Sequence, residues 1–249
     1  MNLERAKQIT RAMGALTQKD SRYGINEIRV IVALERLIAR LSQNRELAEY
    51  LIFKGGFVLL KNYESKRFTR DADALATTIS KVKLKDLVCT AMSNDLDDGL
   101  WYGDVKVQEL EEQGEYGAYR FDCAFQIGEP DIKKVHKFSR VHLDVGFSDK
   151  LPLKPADQVM PSILKHEGPV TWKVYPVEYI IAEKVQTLFD RGSANSRAKD
   201  IHDLVYLFPR CRNHALNRPV SSTRPSLKRR GLVSLRWTKR RRLIRHGMR

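Results

Sequence analysis

The period of the apolar residues changes twice along this chain, and that change limits the folds open to it. Val30, Leu34, Leu37 and Leu41 recur at i, i+4, i+7 and i+11, so the spacing predicts an amphipathic helix from about Asn26 to Ser42, with one stripe against a core. A shorter helix is expected to follow through Tyr50, and another from Phe57 to Tyr63. Val105 to Leu110 and Tyr119 to Phe125 alternate instead, with turn residues from Gln113 to Gly117 between them, which is a hairpin pattern. Arg140 to Phe147 is a third strand candidate. From Pro176, suited to a first helical turn, the period becomes helical again. Ile181, Val185, Leu188 and Phe189 are expected to form one apolar face, and Ile201, Leu204, Val205 and Phe208 that of a second helix from about Ser196 to Phe208. Helix, small sheet, then helices predicts an α+β fold rather than a regular βαβ array.

Charge divides the chain more sharply than hydropathy does. From Pro209 to Arg249 there are 14 Lys and Arg and no Asp or Glu, which leaves 31 basic against 30 acidic residues in positions 1–208. The net charge of +15 therefore describes a nearly neutral body and a basic tail. With three prolines and little apolar periodicity, the tail reads as a separate, poorly folded segment. Three readings of it stay open: an RNA-binding arm that releases counterions, a solvated tail, or an aberrant C-terminus such as a shifted reading frame would produce. The boundaries expected from this are a core with N-terminal helices over 1–150, a helical part over 151–208 and the tail over 209–249.

Composition excludes several classes. At 249 residues, 42% hydrophobic and 30% charged, the chain suits a soluble globular protein rather than a disordered one. No stretch approaches the roughly 18–20 apolar residues of a membrane span, and Met1 to Lys19 alternates charge with apolar residues, unlike a secretory leader. A cytoplasmic location and no membrane partner are expected. Cys89, Cys123 and Cys211 are odd in number and share no metal-ligand spacing, which gives a disulfide framework or a zinc site no support. The six histidines likewise show no ligand spacing and are taken as structural or exposed.

The residues that could carry chemistry begin with Asp71-Ala72-Asp73. If this segment is a strand, its period of two puts both carboxylates on one face, where their repulsion asks for a cation. Alone, Asp-x-Asp is common in turns and at helix N-caps. Asp144 adds weight: in Val141 to Phe147 the residues Leu143, Val145 and Phe147 should face the core and Asp144 the other side. There it is either solvated or the third carboxylate of a site suited to octahedral Mg²⁺. Lys184 falls on the flank of its helix's apolar face, where it either snorkels to water or reaches a cleft, while Glu183 is expected to point the other way. Arg197, Lys199, Asp200 and Asp203 crowd two turns, and on spacing alone a surface ladder with Lys199 and Asp203 at i, i+4 explains them better than catalysis does. Leu51 to Phe53 is an apolar approach to the pair Gly55-Gly56, which permits close backbone contacts.

Taken in order, four of these stretches resemble the AbiEii/AbiGii nucleotidyltransferase family, a branch of the DNA polymerase beta superfamily. Lys54-Gly55-Gly56 with Phe68 to Asp73 resembles its first signature, His142 to Phe147 the second, Ala182-Glu183-Lys184 the third and Asn195 to Leu204 the fourth. The ordered set, spread over about residues 30–208, is far more specific than any one member. The likeness is expected to stop near Phe208, where family members continue into further helices. The resemblance implies a nucleotidyltransferase fold, a small mixed sheet flanked by helices and followed by a helical part, that works as an NTP-dependent toxin. Asp71, Asp73 and Asp144 would bind Mg²⁺, with Asp144 also helping to activate the attacking hydroxyl. Lys54, Gly55, Gly56, Thr69 and Arg70 would meet the triphosphate; Lys184 and Lys199 would offset phosphate charge beside Asp200. It implies an RNA acceptor, tRNA above all, and a separately encoded antitoxin. Two alternatives remain: a non-catalytic nucleic-acid-binding protein using the basic tail, or a nucleotidyltransferase acting on a protein or small molecule.

Overall fold

The computed structural model describes residues 1–19, 22–110, 117–148, 154–164, 167–191 and 198–216. Its elements in chain order are α1 (Leu3–Lys19), α2 (Ile25–Gln43), α3 (Arg45–Tyr50), β1 (Leu51–Lys54), α4 (Gly55–Asn62), β2 (Asp71–Ala76), α5 (Lys81–Met92), β3 (Leu100–Leu110), β4 (Ala118–Ile127), β5 (Ser139–Phe147), β6 (Ala156–Met160), β7 (Val170–Val174), α6 (Val177–Arg191) and α7 (Ala198–Leu216). The described residues form one mixed seven-stranded sheet, ordered β3-β4-β5-β2-β1-β7-β6. In it β2 pairs parallel with β5, and β1 parallel with β7, while the other neighbours run antiparallel.

The helix predicted over Asn26 to Ser42 is α2, and it is the spine of the core. Leu34, Leu37 and Leu41 are buried as the spacing requires, joined by Ile28, Ile31 and Ile38. Its one buried cation, Arg40, is satisfied by a two-pronged pair with Asp98 at 2.8 Å on each prong and lies over the Tyr102 ring, 4.4 Å from its centre. A charge so deep persists only when matched in this way. The sheet turns an apolar face to this layer: Ala72, Ala74, Phe121, Cys123, Val141, Leu143 and Val145 are all buried. Alternation puts Asp71, Asp73, Arg120, Asp122, His142 and Asp144 on the opposite face.

Three expectations need correction. The stretch 151–208 is not wholly helical, because β6 and β7 lie within it and extend the same sheet beyond β1. The second late helix does not end at Phe208 but runs on to Leu216. The buried faces of α6 and α7 also differ from the apolar stripes. Phe189, Ile201, Val205 and Phe208 are exposed, whereas Ile180, Leu204, Leu207, Asp200 and Asp203 are buried. On the inner face of α7, Leu204 and Leu207 are joined by two carboxylates, Asp200 and Asp203, with cationic partners inside the molecule. The turn from Gln113, up to residue 116, the fourth-motif residues 195–197 and the tail from residue 217 lie outside the described residues. No helix among the described residues is long and apolar enough to cross a membrane.

Candidate active site

Four adjacent strands place four charges in a single row. In the pairing register Lys54 on β1 faces Asp73 on β2, Asp73 faces Asp144 on β5, and Asp144 faces Arg120 on β4. One residue pair further along, Asp71 faces His142 and His142 faces Asp122. The strand expected at Asp71 to Asp73 is β2, so the two carboxylates do share a face, and Asp144 joins them from a residue 71 positions away in sequence.

Each member of the row is held differently. Lys54 donates to both oxygens of Glu183 on α6, at 2.9 and 3.0 Å. Arg120 grips Asp144 in a fork, Nε to Oδ1 at 2.8 Å and Nη2 to Oδ2 at 2.6 Å. Asp71 Oδ1 lies 2.9 Å from His142 Nδ1, whose other ring nitrogen is 3.4 Å from Asp122 Oδ1. Asp73 accepts no hydrogen bond from a described residue. Burial, followed by the negative charge of Asp144, pushes its carboxyl up to about 6, with Asp71 adding to the rise and Lys54 and Lys199 opposing it. An unsatisfied carboxylate facing a second carboxylate is a place where a cation would lower the energy.

The row forms the floor of a cleft of about 350 Å³. Its rim on one side is the start of α4, which begins at Gly55 directly after β1. Lys54, the residue before the helix, offers its amides no side-chain cap, so the N–H groups of the first turn are available to an anion. Glycine is required at 55 on two counts: its φ is +73°, and a Cβ would come within 2.0 Å of Asp73 Oδ2. At Gly56 a Cβ would meet the Arg67 guanidinium at 2.7 Å.

Further lining comes from α6 and α7. Lys184 Nζ bridges Asp200 Oδ1 and Asp203 Oδ2, both at 2.8 Å. Arg67, from the segment before β2, forks onto Asp203, 3.0 Å on each prong. Burial works against the ionised form of Asp203, but the hydrogen bonds from Arg67 and Lys184 more than offset it and hold the carboxyl below its usual range. The surface ladder from Lys199 to Asp203 is not formed, because Asp203 is spent on these inward partners. Lys199 itself is exposed and lines the cleft.

Of the residues singled out from the sequence, Lys54, Gly55, Gly56, Thr69, Asp71, Asp73, Asp144, Lys184, Lys199 and Asp200 all line this one cleft. Arg70 does not; it is exposed, while the Thr69 hydroxyl donates to the Asp71 carbonyl at 3.3 Å. Glu183 faces the cleft, not away from it, because Lys54 draws it in. His142, taken from the sequence as structural or exposed, touches Asp71. The sequence reading also passed over Arg67 and Arg120. Arg120 could have been found by extending the hairpin's alternation, which gives it the parity of Asp122. Among the described residues no group of three His, Cys, Asp or Glu is gathered closely enough to hold a metal ion; Asp144 is engaged by Arg120 and Asp71 by His142. The donor chemistry nevertheless fits a hard divalent ion: three carboxylates share one face, and the middle one is bare.

A model of the family described as "Nucleotidyl transferase AbiEii toxin, Type IV TA system" matches residues 36–241. The match includes the segment beyond Phe208, where the likeness was expected to end. No curated protein matches. Among solved structures, one described as a "putative nucleotidyltransferase from H. pylori" is 19% identical, with 76% of this chain and 70% of that chain covered and a TM-score of 0.46.

Proposed function

The chain belongs to the AbiEii nucleotidyltransferase toxin family, and from that premise we propose that it transfers a nucleoside monophosphate from an NTP to RNA, with tRNA as acceptor and Mg²⁺ as the ion. Membership makes it a transferase enzyme of a toxin–antitoxin system, with a nucleotide substrate and an antitoxin partner. The acceptor, the metal and the individual residue roles are our reading. The observation that carries it is the row Lys54, Asp73, Asp144, Arg120 across four strands, facing the uncapped start of α4 over a single cleft.

In this reading the first-turn amides of α4 and Thr69 receive phosphate oxygens, and the Gly55-Gly56 pair keeps side chains out of their way. Lys184 and Lys199 line the same cleft and offset charge on the departing pyrophosphate. Asp71, Asp73 and Asp144 would hold the ion. When bound, it would neutralise charge that builds on the α-phosphate and the leaving group. The acceptor hydroxyl gives its proton to a carboxylate oxygen of Asp144 as its oxygen bonds to the α-phosphorus, and the bond from that phosphorus to pyrophosphate breaks. Asp200 keeps the Lys184 ammonium in position.

The test is incubation of the full chain with labelled NTPs, Mg²⁺ and tRNA. Label is expected on the tRNA. Label on a protein or a small molecule would overturn the acceptor, and transfer to nothing at all would sink the reading.

A further inference from the structure

Arg120 enters the cleft from β4 and lies directly across β5 from the paired acids of β2. Its fork covers both oxygens of Asp144, which accepts no hydrogen bond from any other described residue. The two facing carboxylates are therefore treated unequally. Asp144, 16% exposed, is neutralised by a planar cation, whereas its neighbour Asp73 is left bare. Arg120 is the more open partner, at 40% exposed, and its guanidinium also feels Asp71 and Asp73. Among the described residues, in the arrangement where Arg120 engages Asp144, no three carboxylates are gathered to hold a metal ion.

A guanidinium fork fits a phosphate as well as it fits a carboxylate. The Arg120 side chain can therefore leave Asp144 at little cost only when another anion comes within reach. Building on the nucleotidyltransferase reading above, we propose that Arg120 is an internal counter-ion: it holds the third carboxylate away from metal in the empty enzyme and yields it when the phosphates of a nucleotide or acceptor arrive. Arg120 is thus a positioning residue that couples metal loading to substrate, and metal alone binds weakly because it must displace the arginine. Lys54, at the other end of the row, cannot play this part, since Glu183 already holds it.

Mn²⁺ binding to the full chain in the absence of nucleotide, followed by electron paramagnetic resonance or calorimetry, tests this without reference to activity. Arg120→Ala is expected to bind Mn²⁺ on the order of ten-fold more tightly than the unaltered protein, the effect of removing one charge-assisted pair. Arg120→Lys, a point charge that cannot fork, should fall between the two. Should the alanine variant fail to fold by circular dichroism, Arg120→Gln takes its place. Equal or weaker binding in the folded variants, with binding in every case still abolished by Asp73→Asn, would overturn the counter-ion role and leave the metal reading standing. Binding that survives both Asp73→Asn and Asp144→Asn, or no binding by any of the proteins, would overturn both.

Discussion

The two faces of the central strands follow opposite rules. On one, Ala72, Ala74, Phe121, Leu143 and Val145 are buried against the helical layer, and each contributes stability in proportion to the apolar surface it removes from water. On the other, one residue away in each strand, Asp73 and Asp144 face each other with like charge, an arrangement that costs stability unless something neutralises it. A strand alternates between these demands at every step. The lesson is that the fold is secured by one face and the chemistry is mounted, at some energetic cost, on the other.

Substitutions on the two faces should therefore separate activity from stability. Asp73→Asn is expected to lower transfer about a thousand-fold or more in a labelled-NTP assay, the loss of several kcal/mol of transition-state stabilisation, with the circular dichroism spectrum unchanged. Full activity in this variant would break the contrast. On the buried face, Leu143→Ala should cost about 2–5 kcal/mol in urea unfolding, while the fraction still folded keeps its turnover within a few-fold. A loss of turnover that exceeded the loss of fold would show that the faces are not independent.

The same contrast has a pH signature. The Asp73 carboxyl is raised to about 6 in the folded state, from an ordinary value near 3.8, by burial and then by Asp144. The native state therefore binds this proton more tightly than the unfolded chain does. The stability it contributes is full below about 3.8 and is lost as pH rises to about 6. Asp73→Asn should thus raise the Tm of the metal-free protein by a few degrees at pH 8, with the gain fading toward pH 4. A constant difference across that range would argue against the charge repulsion. At limiting Mg²⁺, transfer by the unaltered protein should fall below pH 6, because the ion requires the ionised carboxylate. The smallest effect is expected for His142→Gln. By releasing Asp71 from a single 2.9 Å contact, it should reduce turnover several-fold and leave the Tm nearly unchanged.

How much of this was legible in the sequence depended on whether the signal was local. The spine helix α2 and the strands β3, β4 and β5 follow from their periods, and the three aspartates from their spacing on those strands. The helices α1 and α5 and the short strands β6 and β7 were not read. The two strands have five residues each, too few for an alternation to stand out. The apolar stripe of α7 misled in part, because beside the buried Leu204 and Leu207 its inward face carries Asp203 on Arg67 and Lys184, partners 136 and 19 residues away. Arg120 and His142 were missed for a related reason: their importance depends on which strands become neighbours, and strand order is not written in any one segment.

Ion pairs and apolar contacts differ in how they constrain a rolling cylinder. An oily seam tolerates a helix that turns a little about its own axis, but the Arg67 fork and the doubly engaged Lys184 are directional. A shift of one residue along α7 corresponds to about 100° of rotation and would break every one of those bonds. The helix is thereby indexed like a keyed shaft, and Lys199, one residue before Asp200, is presented to the cleft at a fixed azimuth.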